Sequence, residues 1–580
     1  MATIPQVHLI NCQPGIQRDG TSLDGNRYND GQWVRFQRGR PKKMNGYREI
    51  NAFINGPARG ATVWARQDLT QLTVFSPAGI EATQVDKNGI GQSLFDRTPS
   101  GWVTNSDVVW QYDYMYDAAA GSDKTLLLAH GGSNLTNIDS GIKSDVYYGD
   151  AADTGALTAI GLTQSQISGG LVCIPPYLVL YGSDGLVTWS NANEPRTLAS
   201  GDAGTARITG TKVVKGLPIR GQGQSPAALL WSLDSLIRMT YVGGQAVFRF
   251  DPISDGCSVL SSSGFIEYDG IYYWIGIDRF MVYNGAVQEL PNNQNQNWFF
   301  DNLNYAQRQK VHVTKITRYG EIWWFFPKGD ATECTHAVIY NVREKYWYDV
   351  ELPRSAAVPS QVFHYPVMMD AQPNAHTVRL RLSSITGTFA VGDTVTDSLS
   401  GATGVVRKTS NSDLYVTVST AQTSKFQNGD TVTGPNGSGT TATPESIDHH
   451  SLWLHEVGKN KVSGDNELAI PSFFETADFG FPTGGTAQEA PTGEDRWTRL
   501  SRVEPDFLMV GKMSMVVVGS ETAQGTVTES APYVFDGKTE RIDMREQRRE
   551  IRLRFSSNET NGDYEMGKTM LHIEEGDIRS

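Results

Sequence analysis

Between Gly210 and Pro291 the chain passes twice through one alternation, short β-rich runs each cut by a turn. In the second pass Phe265–Tyr268, Ile271–Ile275, Phe280–Tyr283 and Ala286–Leu290 follow one another, with Asp269-Gly270 and Asn284-Gly285 at two of the breaks. An Asp-Gly or Asn-Gly break between apolar runs takes positive φ and turns the chain back antiparallel to itself. The four runs therefore make one antiparallel meander. A meander of this size cannot bury both faces alone, and repeated meanders bury their faces on one another. The pattern predicts an all-β chain built on a β-propeller.

Comparable segments surround this one. They run Ala61–Val85, Val108–Ile138, Leu171–Leu198 and Val311–Leu352. Val362–Met369 and Thr377–Leu382 begin a further one that resumes at Ser451–His455. Six to eight blades fit, and seven is the best count. Long amphipathic helices are absent from the pattern, and only Leu303–Lys310 has helical character.

At 580 residues the chain is too long for one ordinary core, so several domains are expected. Hydrophobic residues at 39% indicate a globular protein. No apolar run reaches the roughly 18 residues of a membrane span, so no span is expected. Cys12, Cys173, Cys257 and Cys334 stand far apart and read as buried thiols of a chain folded in a reducing cytoplasm. The N-terminus has no basic-then-apolar signal pattern. A net charge of −13 argues against a general nucleic-acid binder held by phosphate contacts.

Residues 1–60 read as an N-terminal arm and a closing strand, and 61–382 as the blades. Residues 383–445 change composition to Ser, Thr, Gly and Val, and repeat internally: Phe389-Ala390-Val391-Gly392-Asp393-Thr394-Val395-Thr396 returns as Phe426-Gln427-Asn428-Gly429-Asp430-Thr431-Val432-Thr433. They read as a small β-barrel-like module grafted onto a loop of the seventh blade and separable from it. Residues 446–485 return to the propeller as a connector. Residues 486–580 hold several strand candidates and suggest a β-sandwich-like domain. Within them Glu550–Phe555 alternates apolar and charged residues at period two.

Three motifs invite chemistry. Gly562–Thr569 matches a phosphate-binding loop literally, but MLHIEEGD after it reads as strand where a helix is required, and a hairpin turn is the reading. His449, His450, His455 and Glu456 lie close together without a zinc-ligand spacing. Gly182-Ser183-Asp184-Gly185 lacks the spacers of a sialidase Asp-box. No nucleophile–base set emerges, so no enzymatic activity, cofactor or metal is expected.

The order of parts is similar to a known family. The meander YYWIG…RFMVYNG, the inserted β-module and the C-terminal DMREQRREIRLRF…GDYEMGKTMLHIEEGD resemble the tail hub or nozzle proteins of short-tailed bacteriophages, also called packaged-DNA stabilisation or tail tubular proteins. The resemblance spans roughly residues 30–580 and implies a structural virion protein of the tail. It implies a homo-hexamer below the portal and an adaptor protein, retaining packaged double-stranded DNA and conducting it through the lumen without sequence-specific contact. Tail fibres or spikes would attach to it. Docking to the adaptor is expected from two basic groups: Arg35, Arg38, Arg40, Lys42 and Lys43 on the N-terminal arm, and Arg545, Arg548, Arg549, Arg552 and Arg554 near the C-terminus. The alternatives are a propeller-type polysaccharide depolymerase and a stand-alone propeller binding module.

Overall fold

The computed structural model describes residues 6–21, 26–66, 69–85, 91–106, 108–119, 121–132, 145–162, 167–219, 225–359, 365–373, 377–410, 412–418, 425–446, 449–463, 466–480, 496–521 and 525–578. Six four-stranded antiparallel sheets follow one another along the chain. They are blade 1 (Gly60–Asp96), blade 2 (Val109–Ala159), blade 3 (Gly170–Arg207), blade 4 (Val213–Ser254), blade 5 (Ile266–Glu289) and blade 6 (His312–Glu351). Blade 7 is assembled from three places. Arg354–Val358 pairs with Val367–Asp370, that strand pairs with His449–His455, and the fourth place is taken by Tyr47–Asn55 from the N-terminal side. The protein is a seven-bladed β-propeller whose ring is closed by a strand from the opposite end of the chain.

Local chemistry accounts for the blades. In blade 5 the break between strands Ile266–Tyr268 and Ile271–Ile275 is made by Asp269 at φ 50° and Gly270 at φ 80°, the double positive φ of a tight primed turn. The faces that meet between blades are large and apolar: Trp231, Trp274, Trp323, Trp324 and Trp347 are fully buried. Aromatic polar atoms reach the next blade's backbone. Trp110 Nε1 donates to Ser76 O at 2.9 Å, Tyr272 Oη to Pro218 O at 2.8 Å and Trp324 Nε1 to Gly264 O at 3.1 Å. A buried indole or phenol needs such an acceptor, so each of these aromatics both fills and orients an inter-blade seam. The helical character read near Leu303–Lys310 is a short helix, Gln296–Asn302, followed by a 3-10 turn, Tyr305–Lys310. Among the described residues no helix is long and apolar enough to cross a membrane.

The inserted module is a closed six-stranded barrel running from Thr377 to Ser446, between the second and third strands of blade 7. Thr377–Gly387 is its longest strand, so Thr377–Leu382, expected to belong to the blades, belongs to the barrel. The sequence repeat is also a structural one. Thr394–Asp397 and Thr431–Thr433 pair antiparallel, with Thr396 opposite Thr433, which relates the two repeats by a local two-fold. Gly392 and Gly429 adopt φ 96° and 94°, and Val395 and Val432 are both fully buried in the barrel core.

The expected N-terminal arm is not a separate element. Gln6–Leu9 pairs with Met570–Ile578, Asp30–Gln32 with Ser472–Glu475, and Arg40–Lys43 with Asp563–Met566. The N-terminal segment is thus woven into three sheets of the C-terminal domain, and Tyr47–Asn55 is the strand it contributes to a propeller blade. The domain's strands also begin at Ser472, inside the stretch read as a connector. One continuous core joins this terminal domain to blade 6, with Trp33, Phe36, Phe474, Phe555 and Tyr564 packed with Phe325, Ile339 and Tyr348. The strand partners lie hundreds of residues apart, which is why a linear division of the chain misplaces these boundaries.

Candidate functional site at the junction of the termini and the propeller

Strand Val34–Gln37 faces blade 6, and Arg35 projects into the junction with its side chain fully buried. Its Nε donates to Glu321 Oε1 at 3.0 Å and its Nη2 to Glu321 Oε2 at 3.2 Å. Its Nη1 and Nη2 donate to Glu456 at 2.8 and 2.7 Å. The guanidinium carbon lies 3.6 Å from the ring centroid of Tyr319. Tyr348 Oη and Trp323 Nε1 donate to Glu321 at 2.6 and 2.8 Å. One cation therefore serves two carboxylates in a buried interface. Burial pushes the Glu321 carboxyl up against the pull of Arg35, while Glu321 and Glu456 hold the guanidinium charged despite its burial.

The other residues of the basic N-terminal group separate. Lys43 is fully buried, its Nζ has no hydrogen-bond partner among the described residues, and burial lowers its amine to about 8. Arg35 and Lys43 are therefore corrected from exposed docking residues to interior ones, because Val34–Gln37 is covered on both faces and Lys43 lies on the covered face of Arg40–Lys43. Arg40 and Lys42 both lie against Glu565, at 3.6 and 3.4 Å. Arg38 is exposed at a turn with φ 52°, where its backbone N–H donates to Glu344.

In the C-terminal group Arg552 and Arg554 converge on Glu475, at 2.9 and 2.5 Å, and reach Asp478 and Glu529 as well. Arg548 pairs with Glu546 at 3.2 Å, and Arg549 lies 3.9 Å from Glu550. Arg545 is exposed and has no ion-pair partner among the described residues. The structure thus puts both basic groups in one domain and partners most of their charge internally. Arg38 and Arg545 keep accessible guanidinium groups.

The motifs resolve locally. The Gly562–Thr569 match is a strand, Asp563–Met566, followed by a connection in which Gly567 N and Lys568 N donate to Asp506. The next element is the strand Met570–Ile578 and not a helix, so there is no row of free N–H groups for a phosphate. His455 Nε2 accepts from Arg354 Nε at 3.0 Å and is held neutral, while Glu456 is engaged by Arg35. His450 Nδ1 lies 2.9 Å from Asp370 O, and the His449 side chain is outside the described residues. These groups do not converge on one point. The buried pair His312 and Cys334, 3.9 Å apart, is also chemically quiet. Burial lowers the imidazole to about 4 and pushes the thiol up, the reverse of what an activated thiolate needs.

Sequence reasoning marked none of Glu321, Glu456 or Tyr348 as part of this network, since its residues are brought together only by tertiary packing.

The class that fold and junction define is a seven-bladed β-propeller with an inserted barrel and a terminal β-domain made from both chain ends. No family model matches the chain, and no curated protein matches it. Among solved structures, it is similar to the crystal structure of BBS1N in complex with ARL6DN, at 9% identity and TM-score 0.34, covering 57% of this chain and 94% of that one. It is similar also to the computationally designed Ika8 protein, at 9% identity and TM-score 0.30, covering 61% of this chain and 96% of that one.

Proposed function

We propose that the protein is a structural component of a short-tailed bacteriophage tail, a nozzle subunit that forms a homo-hexameric ring below an adaptor and conducts double-stranded DNA. The observation that carries the reading is the weaving of both chain ends into a single domain fused to blade 6 through one core. Such a domain gives a ring subunit a rigid docking platform at one side of the propeller. Arg38 and Arg545 supply it with accessible cations for an acidic adaptor surface. The resemblance of the meander, the inserted module and the C-terminal motif to the nozzle family supports the same reading. The charge fits as well: six copies at −13 each carry −78, which repels a phosphate backbone and lets DNA slide. In this reading the virion tail is the site of action, fibres or spikes attach to the exterior, and the protein catalyses no reaction.

The test is reconstitution. The purified chain mixed with adaptor-bearing capsids should give six-fold rings by negative-stain imaging, and Arg38→Glu with Arg545→Glu should fold but leave capsids that leak DNA. Normal DNA retention by that variant rejects the docking face. Failure of the unmodified chain to form rings rejects the nozzle reading, and cleavage of surface polysaccharide by the isolated chain replaces it with the depolymerase reading.

A further inference from the structure

The ring closes at a seam. Strand Tyr47–Asn55 occupies the fourth place of blade 7, and blade 1 begins at Gly60 just after it. The inserted barrel leaves and re-enters blade 7 at this seam. Its strand Thr403–Ser410 lies against both the closing strand and Gly91–Asp96 of blade 1. That strand's pairing slips between Val406 and Lys408, so the consecutive residues Arg407 and Lys408 both reach the propeller.

The two cations go to opposite sides of the seam. Arg407 lies 4.0 Å from Glu49 on the closing strand, and Glu49 also accepts from Ser451 Oγ of blade 7 at 2.8 Å and from Ser463. Lys408 pairs with Glu81 of blade 1. The same Glu81 carboxylate accepts from Asn55 at the far end of the closing strand, from its backbone N–H at 2.8 Å and its Nδ2 at 3.2 Å. The Lys408 ammonium also lies 5.2 Å from the centroid of the Tyr415 ring. All four charged side chains are largely buried: Lys408 and Glu81 are 6% and 7% exposed, Arg407 and Glu49 12% and 3%. Exposed ion pairs contribute little, but removing one partner of a buried pair leaves an uncompensated charge.

We infer that the barrel is a clasp on the ring: through Arg407 and Lys408 it holds the closing strand to blade 7 and blade 1 together, so that retention of Tyr47–Asn55 depends on the docked barrel. On this inference the module is a clasp and not the separable appendage expected from its composition. It also explains why a module of low apolar bulk sits at the junction of the first and last blades. The clasp stands whether or not the chain is a nozzle subunit.

Amide hydrogen exchange on the full-length chain tests it. Lys408→Met should speed exchange in Tyr47–Asn55 by about tenfold or more, while Ala227–Ser232 in blade 4 stays as protected as before. Glu81→Gln should do the same, and the Lys408→Met/Glu81→Gln double variant should exchange more slowly than the two single effects combined. Arg381→Ala, on an exposed barrel pair with Asp413, should leave the closing strand unchanged. An unchanged closing strand in Lys408→Met overturns the inference, as does acceleration spread equally over all blades. Should Lys408→Met fail to fold, Arg407→Gln carries the test with the same two readings.

Discussion

Arg35 and Glu321 are 286 residues apart in sequence and share two hydrogen bonds, at 3.0 and 3.2 Å, in the interior of the molecule. The pair ties the N-terminal segment to blade 6, and Glu456 extends it to the connection after the third strand of blade 7. Arg35 is therefore placed to report whether the terminal domain is seated on the propeller.

Arg35→Met leaves Glu321 and Glu456 facing each other without a cation. A loss of about 3–5 kcal/mol in unfolding free energy is expected from urea titration, the cost of breaking a buried ion pair from one side. Glu321 is already pushed above its ordinary range by burial, so without Arg35 folding takes up a proton there. Measured against the wild type at the same pH, the variant's deficit should then shrink as pH falls toward the ordinary carboxylate range, and a deficit that stays constant with pH rejects the account.

The wild-type protein should weaken on acidification for a different reason. His312 is lowered to about 4 and His455 is lowered well below 6.5, both by burial. The unfolded chain protonates each near 6.5 while the folded chain does not, so stability is intact above that pH and is lost as pH falls toward 4. For His312 the full loss is on the order of 3 kcal/mol. The urea midpoint followed against pH should show it, with a shallower fall in His312→Gln.

The two-fold relation inside the barrel predicts matched energetics. Val395→Ala and Val432→Ala each remove buried methyl groups from equivalent sites, and each should cost about 2 kcal/mol. A difference of more than about 1 kcal/mol between them, in thermal melts of the full chain, means that the repeats do not share equivalent packing.

Lys568→Ala should change neither the melting temperature nor its response to added nucleotide, because Lys568 follows a strand and its backbone N–H is used by Asp506. A nucleotide-dependent rise in melting temperature that disappears in this variant rejects that reading.

What the sequence determined is local. The Asp269-Gly270 turn, the four strands of blade 5 and the repeat around Val395 and Val432 are legible because each depends on neighbours a few residues away and on a period of two. Counting such meanders gives seven blades. Tertiary structure decided what depends on distant partners. That Arg35 and Lys43 lie inside, that Gln6–Leu9 pairs with Met570–Ile578, and that Arg407 and Lys408 grip Glu49 and Glu81 are settled by packing. A basic run reads the same in sequence whether its strand edges water or is covered on both faces. Desolvation, which turns an ordinary arginine into an interior tie, exists only once the chain has brought the covering faces together.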